Sequence, residues 1–262
     1  MMATQLLIAF ALTLAAGLST AIGGLVVLKK KQPSDRFLAT SLGFSAGVML
    51  WVSFAEIVPK ATENLSEAFG DRGEAAAVAA FFGGVLLIAL IDRLVPDVVN
   101  PHEQHEAGGV DVRKLRNMGI MTAVAIAIHN FPEGFATFLS GMESMTIAIP
   151  VAAAIAIHNI PEGIAVAIPM WQATGSRKRG FTWAALTGLA EPIGALVGFL
   201  LLLPLLGPMT LGIAFGAVAG IMVFISLDEL LPTAVATGRH HAAIYGLIVG
   251  MAIMAISLLL FA

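Results

Sequence analysis

Two short strings hold the residues that could do chemistry. His129-Asn130-Phe131-Pro132-Glu133-Gly134 and His158-Asn159-Ile160-Pro161-Glu162-Gly163 differ at one position. They lie in segments 123–136 and 152–165, which match at eleven of fourteen positions at an offset of 29. The flanking residues are apolar, and polar side chains at such depth in an apolar run mark a functional site. On a helix, His129 and Glu133 stand on one face four residues apart, while Asn130 and Glu133 are neighbours three apart. Glu133 can therefore serve two adjacent positions. Pro132 removes the backbone partner of the Ile128 carbonyl and predicts a bend. Gly134 permits close helix approach. The second string repeats this set with His158, Asn159, Pro161, Glu162 and Gly163.

If the two faces meet, two imidazoles, two amides and two carboxylates converge. The chain has no Cys, so thiolate ligands and disulfides are excluded. Nitrogen and oxygen donors alone suit Zn2+, Fe2+, Mn2+ or Co2+. Two carboxylates balance one divalent charge, or bridge two ions. A third carboxylate, Glu191 in the string AEPIGA, is the candidate to complete a second position. A bare packing network of buried His and Glu would not require the set twice.

The elements that must position these residues follow from composition. Of 262 residues, 58% are hydrophobic and 12% charged, with mean hydropathy +0.91. A soluble domain carries roughly 25% charged residues. Apolar runs long enough to cross a bilayer recur throughout. The reading is an all-α membrane protein forming a single integral membrane domain over 1–262. No nucleic-acid partner is expected, and the lipid bilayer is the medium. The first apolar run has no preceding Lys or Arg and continues to Leu28 before Lys29-Lys30-Lys31, so it is read as a retained span rather than a cleaved signal. Eight transmembrane helices fit, at 6–28, 37–58, 75–95, 118–140, 145–169, 181–206, 210–231 and 242–262. Twelve of the fourteen Lys and Arg fall on odd-numbered connections, leaving Lys60 and Arg72 on an even one. The positive-inside rule then makes the odd loops cytoplasmic, including the loop at 96–117, and puts both termini outside.

The doubling extends further. GVMLWVSFAEIVPKA at 47–61 matches GIMVFISLDELLPTA at 220–234 at six of fifteen positions. GLSTAIGGL at 17–25 matches GLAEPIGAL at 188–196 at five of nine. Span 1 thus pairs with 6, span 2 with 7 and span 4 with 5, each pair running in opposite directions. The expected plan is an inverted-topology repeat of spans 1–3 against 6–8 and of span 4 against 5, with the site at the repeat interface. No match of span 3 to span 8 is visible.

Paired HNxPEG strings on consecutive spans, an EPxGA string on the next, eight spans and a His-containing third loop resemble the ZIP family of divalent-metal transporters, in its bacterial ZupT-type branch. The resemblance covers nearly the whole chain. It implies one metal position formed by His129, Glu133, His158 and Glu162. It implies a second, adjacent position formed by Asn130, Asn159 and Glu191, sharing Glu133 and Glu162. It further implies uptake of zinc into the cytoplasm through a multi-pass protein of the bacterial cytoplasmic (inner) membrane, with Fe2+, Mn2+, Co2+ and Cd2+ as further cargo. A homodimer is compatible with this reading. The alternative is an intramembrane metal-dependent enzyme using the same cluster. The metalloprotease string is HExxH, with the base beside the first His, whereas here Asn follows the His.

Weaker candidates complete the inventory. Glu56 and Glu229 are repeat-equivalent, each three residues before a Pro, and with Ser53, Ser226 and Asp228 they form a candidate ion path. His102 and His105 are candidates for capture of metal on the cytoplasmic loop. His240 and His241, beside Arg239, receive no role.

Overall fold

The computed structural model describes residues 2–28, 34–94, 112–202 and 207–261, and every element in them is helical. Helix α1, Met2–Gly24, tightens into a 3-10 turn at Leu25–Leu28. Helix α2, Asp35–Val52, starts behind Ser34, whose hydroxyl accepts the Phe37 N–H as an N-cap. It passes through a π turn, Ser53–Ile57, into α3, Val58–Phe69. Gly70, at φ 58, lets the chain reverse into α4, Gly73–Leu94. Two long helices follow, α5 at Val112–Glu143 and α6 at Met145–Thr174. Gly175, at φ 65, closes α6 and leads into α7, Arg177–Gly188, then α8, Ala190–Leu202. Helix α9, Pro208–Ile225, has its own π turn at Ser226–Leu230 and continues as α10, Leu231–Ala236. Helix α11 is His240–Phe261.

Two local differences from the sequence reading have physical causes. Residues 59–69, expected in a polar loop, continue the helix: Ala61, Asn64 and Leu65 are buried on one face, while Lys60 and Glu63 pair at 2.9 Å on the other. The span expected at 181–206 is broken at Leu189, because Pro192 has no N–H to offer the Gly188 carbonyl. Of the expected 96–117 loop, residues 96–111, with His102 and His105, lie outside the described residues, and α5 begins at Val112.

Among the described residues, six segments are long and apolar enough to cross a bilayer: Thr4–Leu28, Asp35–Arg93, Ala148–Ile168, Arg177–Leu200, Pro208–Ala236 and His240–Leu259. The second folds back on itself at Gly70. The surface pattern inverts that of a soluble protein. Leu7 is 70% exposed and Leu259 79%, while Glu133, His158, Glu162 and Glu191 are all at 0%.

The helices pack as two bodies. Helices α1, α5, α6, α7 and α8 form one; α2, α3, α4, α9, α10 and α11 form the other. They meet mainly where α2 crosses α6 and α5 crosses α9. Glycines set the closest approaches. A Cβ on Gly163 would fall 1.9 Å from the Thr20 carbonyl oxygen, and one on Gly134 would fall 2.0 Å from that of Glu191. Gly23 sits likewise on Ile160 and Gly194 on Phe131, while Gly17 and Gly188 sit on each other. Backbone-to-backbone contact of this kind admits no side chain, and it is how helices associate where lipid offers no hydrophobic driving force.

Candidate metal centre

Ser144 alone separates α5 from α6, and its hydroxyl accepts the Thr146 N–H to start the second helix. So short a link folds the helices back against each other and brings the two strings face to face. Glu133, His158 and Glu162 each offer one donor atom within 4.8 Å of the others, and all three are buried. His158 Nε2 lies 2.9 Å from Glu133 Oε1. Two carboxylates gathered this closely away from water repel strongly. A divalent cation at their centre removes that repulsion, and the imidazole adds a neutral nitrogen donor. Both helices run through Pro132 and Pro161 without interruption.

The asparagines stand one residue along from the histidines, against the flanking helices. Asn130 Nδ2 donates to the Thr187 carbonyl at 3.2 Å, just before the break at Leu189. Asn159 Nδ2 donates to the Ala16 carbonyl at 2.9 Å and also to Glu191 Oε1. Among the described residues, the amide oxygens Oδ1 of Asn130 and Asn159 are buried without a hydrogen-bond partner. A buried acceptor left so is unfavourable unless something comes to it, and an amide oxygen is a competent ligand for a divalent ion. Glu191 is brought to the same neighbourhood through its bond to Asn159.

The structure thus gathers Glu133, His158 and Glu162, and places Asn159 with Glu191 beside them. Asn130 holds the equivalent place on α5. Residue 129 lies on α5, but its side chain falls outside the described set. Ser53, Glu56, Ser226, Asp228 and Glu229 fall instead within the two π turns, in the other body. Each turn closes through a bond spanning five residues, Val58 N–H to the Ser53 carbonyl and Leu231 N–H to the Ser226 carbonyl. Such π turns recur at functional positions. Ser53, Ser226 and Glu229 are buried.

One contributor escaped the sequence reading. Ser45 of α2 is fully buried, and its hydroxyl lies 3.3 Å from Glu162 Oε1 and 3.3 Å from the His158 carbonyl oxygen. It reaches the cluster from the opposite body. The available signal was the pair Gly43 and Gly47, which mark the face of α2 against α11, on Ala243 and Leu247. Ser45, two residues from each, points away from that contact.

Comparison with known proteins agrees with this geometry. A family model described as "ZIP Zinc transporter" matches residues 3–108 and 97–258. The chain is 64% identical over 262 residues to the zinc transporter ZupT of Corynebacterium glutamicum, covering 98% of this chain and 100% of that one. It is 57% identical to the zinc transporter ZupT of Streptococcus mutans, covering 99% and 100%. It is 51% identical to the zinc transporter ZupT of Clostridium perfringens, covering 98% and 97%. With nearly every residue matched and a buried cluster of metal-ligating side chains between its two longest helices, the chain belongs to the ZIP zinc transporter family.

Proposed function

We propose that this protein carries zinc, and with it Fe2+, Mn2+, Co2+ and Cd2+, across the bacterial cytoplasmic (inner) membrane into the cytoplasm. The observation that carries the reading is the buried Glu133–His158–Glu162 cluster, whose three donor atoms lie within 4.8 Å of one another. The ion exchanges water for these side chains at mid-depth, with His129 as the fourth donor of the first position. Asn130, Asn159 and Glu191 form the second, sharing Glu133 and Glu162. The zinc-transporter names of the relatives favour transport over hydrolysis.

Eight spans with both termini outside, built as inverted repeats, are the architecture that fits. Contacts described above support it, because they recur in pairs. Asn130 to Thr187 and Asn159 to Ala16 are one bond made twice, at offsets of 29 and 171. Gly134 on Glu191 and Gly163 on Thr20 follow the same offsets, and the two π turns occupy equivalent positions at 53 and 226. Purified protein in zinc-free liposomes tests the function: external zinc should accumulate inside, and Glu133→Ala and Glu162→Ala should abolish accumulation. Substrate turnover without ion accumulation would refute transport.

A further inference from the structure

A second concavity lies in the other body, where α2 and α11 begin. Arg36 in the first turn of α2 and the segment Gly238 to Ala242, which turns into α11, line a cavity of about 370 Å3 with Tyr245. That volume is in the roughly 300–1,000 Å3 range of small-molecule pockets. Arg36, Arg239, His240 and His241 face it, and among the described residues no Asp or Glu lines it. The walls come from two connections far apart in sequence, and Gly238, at φ 76, makes the turn that presents Arg239. The aromatic rings form a ladder: His240 and His241 meet edge to face at 5.6 Å, and His241 stacks on Tyr245 at 6.1 Å and 26°.

Two guanidiniums in one concavity suit an oxyanion, because guanidinium meets phosphate oxygens with paired hydrogen bonds, and the imidazole N–H groups add donors. The surroundings say which phosphate. From Tyr245, which is 63% exposed, the outer face of α11 continues through the exposed Ile248, Ile256 and Leu259 along a segment apolar enough to span a bilayer. An acyl chain lying on that stripe would bring its headgroup to the cavity. Basic pockets between membrane helices hold anionic headgroups in this manner. We propose that the cavity formed by Arg36, Arg239, His240, His241 and Tyr245 binds the phosphodiester of an anionic membrane lipid, tying the start of α2 to the start of α11.

The test is thermal unfolding of the purified full-length protein in neutral detergent, with phosphatidylglycerol, phosphatidylcholine of the same chains, or inorganic phosphate added. Phosphatidylglycerol should raise the unfolding temperature by several degrees, and phosphatidylcholine should not. The exposed double variant Arg36→Gln/Arg239→Gln should lose most of that shift. Lys178→Gln/Arg179→Gln, which removes equal charge from an exposed turn elsewhere, should keep it. A full shift in the Arg36/Arg239 variant, or an equal shift with phosphatidylcholine, would overturn the site. Inorganic phosphate giving the whole shift would overturn the lipid as its ligand.

Discussion

Glu162 has neighbours of two kinds. Within its own body it shares the cluster with Glu133 and His158; across the seam it meets the hydroxyl of Ser45. Glu133 has the His158 imidazole as its partner, and Glu191 leans on Asn159. These attachments rank the three carboxylates. Glu133 and Glu162 belong to both proposed positions, whereas Glu191 belongs to the second alone and has Thr20, a hydroxyl, as its repeat counterpart. In zinc-uptake assays, Glu133→Ala and Glu162→Ala should reduce the rate by at least about a hundredfold, as expected when a ligand made only of protein donors is removed from a buried ion. Glu191→Ala should leave measurable uptake. Equal loss in all three would refute the ranking. The residue types and spacing of this site were legible in the sequence, because polar side chains in lipid stand out. Ser45 was not, since Gly43 and Gly47 mark only the face of α2 that it points away from; the crossing of α2 over α6 gives it a role.

At the level of helices, the apolar runs were readable as eight candidate spans, but the breaks that divide them into the observed helices, and the helix at Val58–Phe69, were not. The stop at Leu189 depends on which carbonyl Pro192 leaves open. The continuation of α3 past Pro59 depends on Leu65 finding cover, because Pro is tolerated near a helix start. The proposed repeat of the third and last spans was likewise invisible as letters, yet contact register supports it. Gly84 of α4 rests on the Ala217 carbonyl, and Gly250 of α11 rests on that of Phe44. Positions 44 and 217 stand at the offset that aligns 47–61 with 220–234, so in the proposed repeat the two glycines correspond. Where backbones touch, the conserved quantity is the absence of a side chain, and one shared letter is too little to find by matching. Substitution tests this directly. Gly163→Ala drives a methyl into the Thr20 carbonyl and should destabilise the protein by about 1–3 kcal/mol, lowering the unfolding temperature in detergent. Gly83→Ala, one residue before Gly84, meets open space and should be neutral or stabilising by up to about 1 kcal/mol. Equal effects would show that these contacts do not set the packing.

The described residues form two helix groups, and the proposed ion site lies in one of them, beside the seam with the other. Because the chain has no Cys, single introduced thiols report sidedness without background. Lys178→Cys and Arg239→Cys should react with impermeant reagent only from the cytoplasmic side of oriented vesicles, and Asp71→Cys only from the other. Any other pattern would overturn the eight-span topology. The seam itself is unevenly made. Where α2 crosses α6 it carries the Ser45 hydroxyl; where α5 crosses α9 the equivalent residue is Val218, buried and apolar. A device whose halves matched would rest equally often facing either side of the membrane. A hydrogen bond made in one arrangement and lost in the other, at ~1 kcal/mol, would skew that resting balance by roughly fivefold, while the gradient alone would still decide the direction of net flow. Ser45→Ala should therefore even out the labelling of a seam-facing thiol from the two sides in metal-free protein. If the balance does not move, the serine is a packing residue. If it does, the chain has a parking position, set by one oxygen atom on a helix that contributes nothing else to the ion.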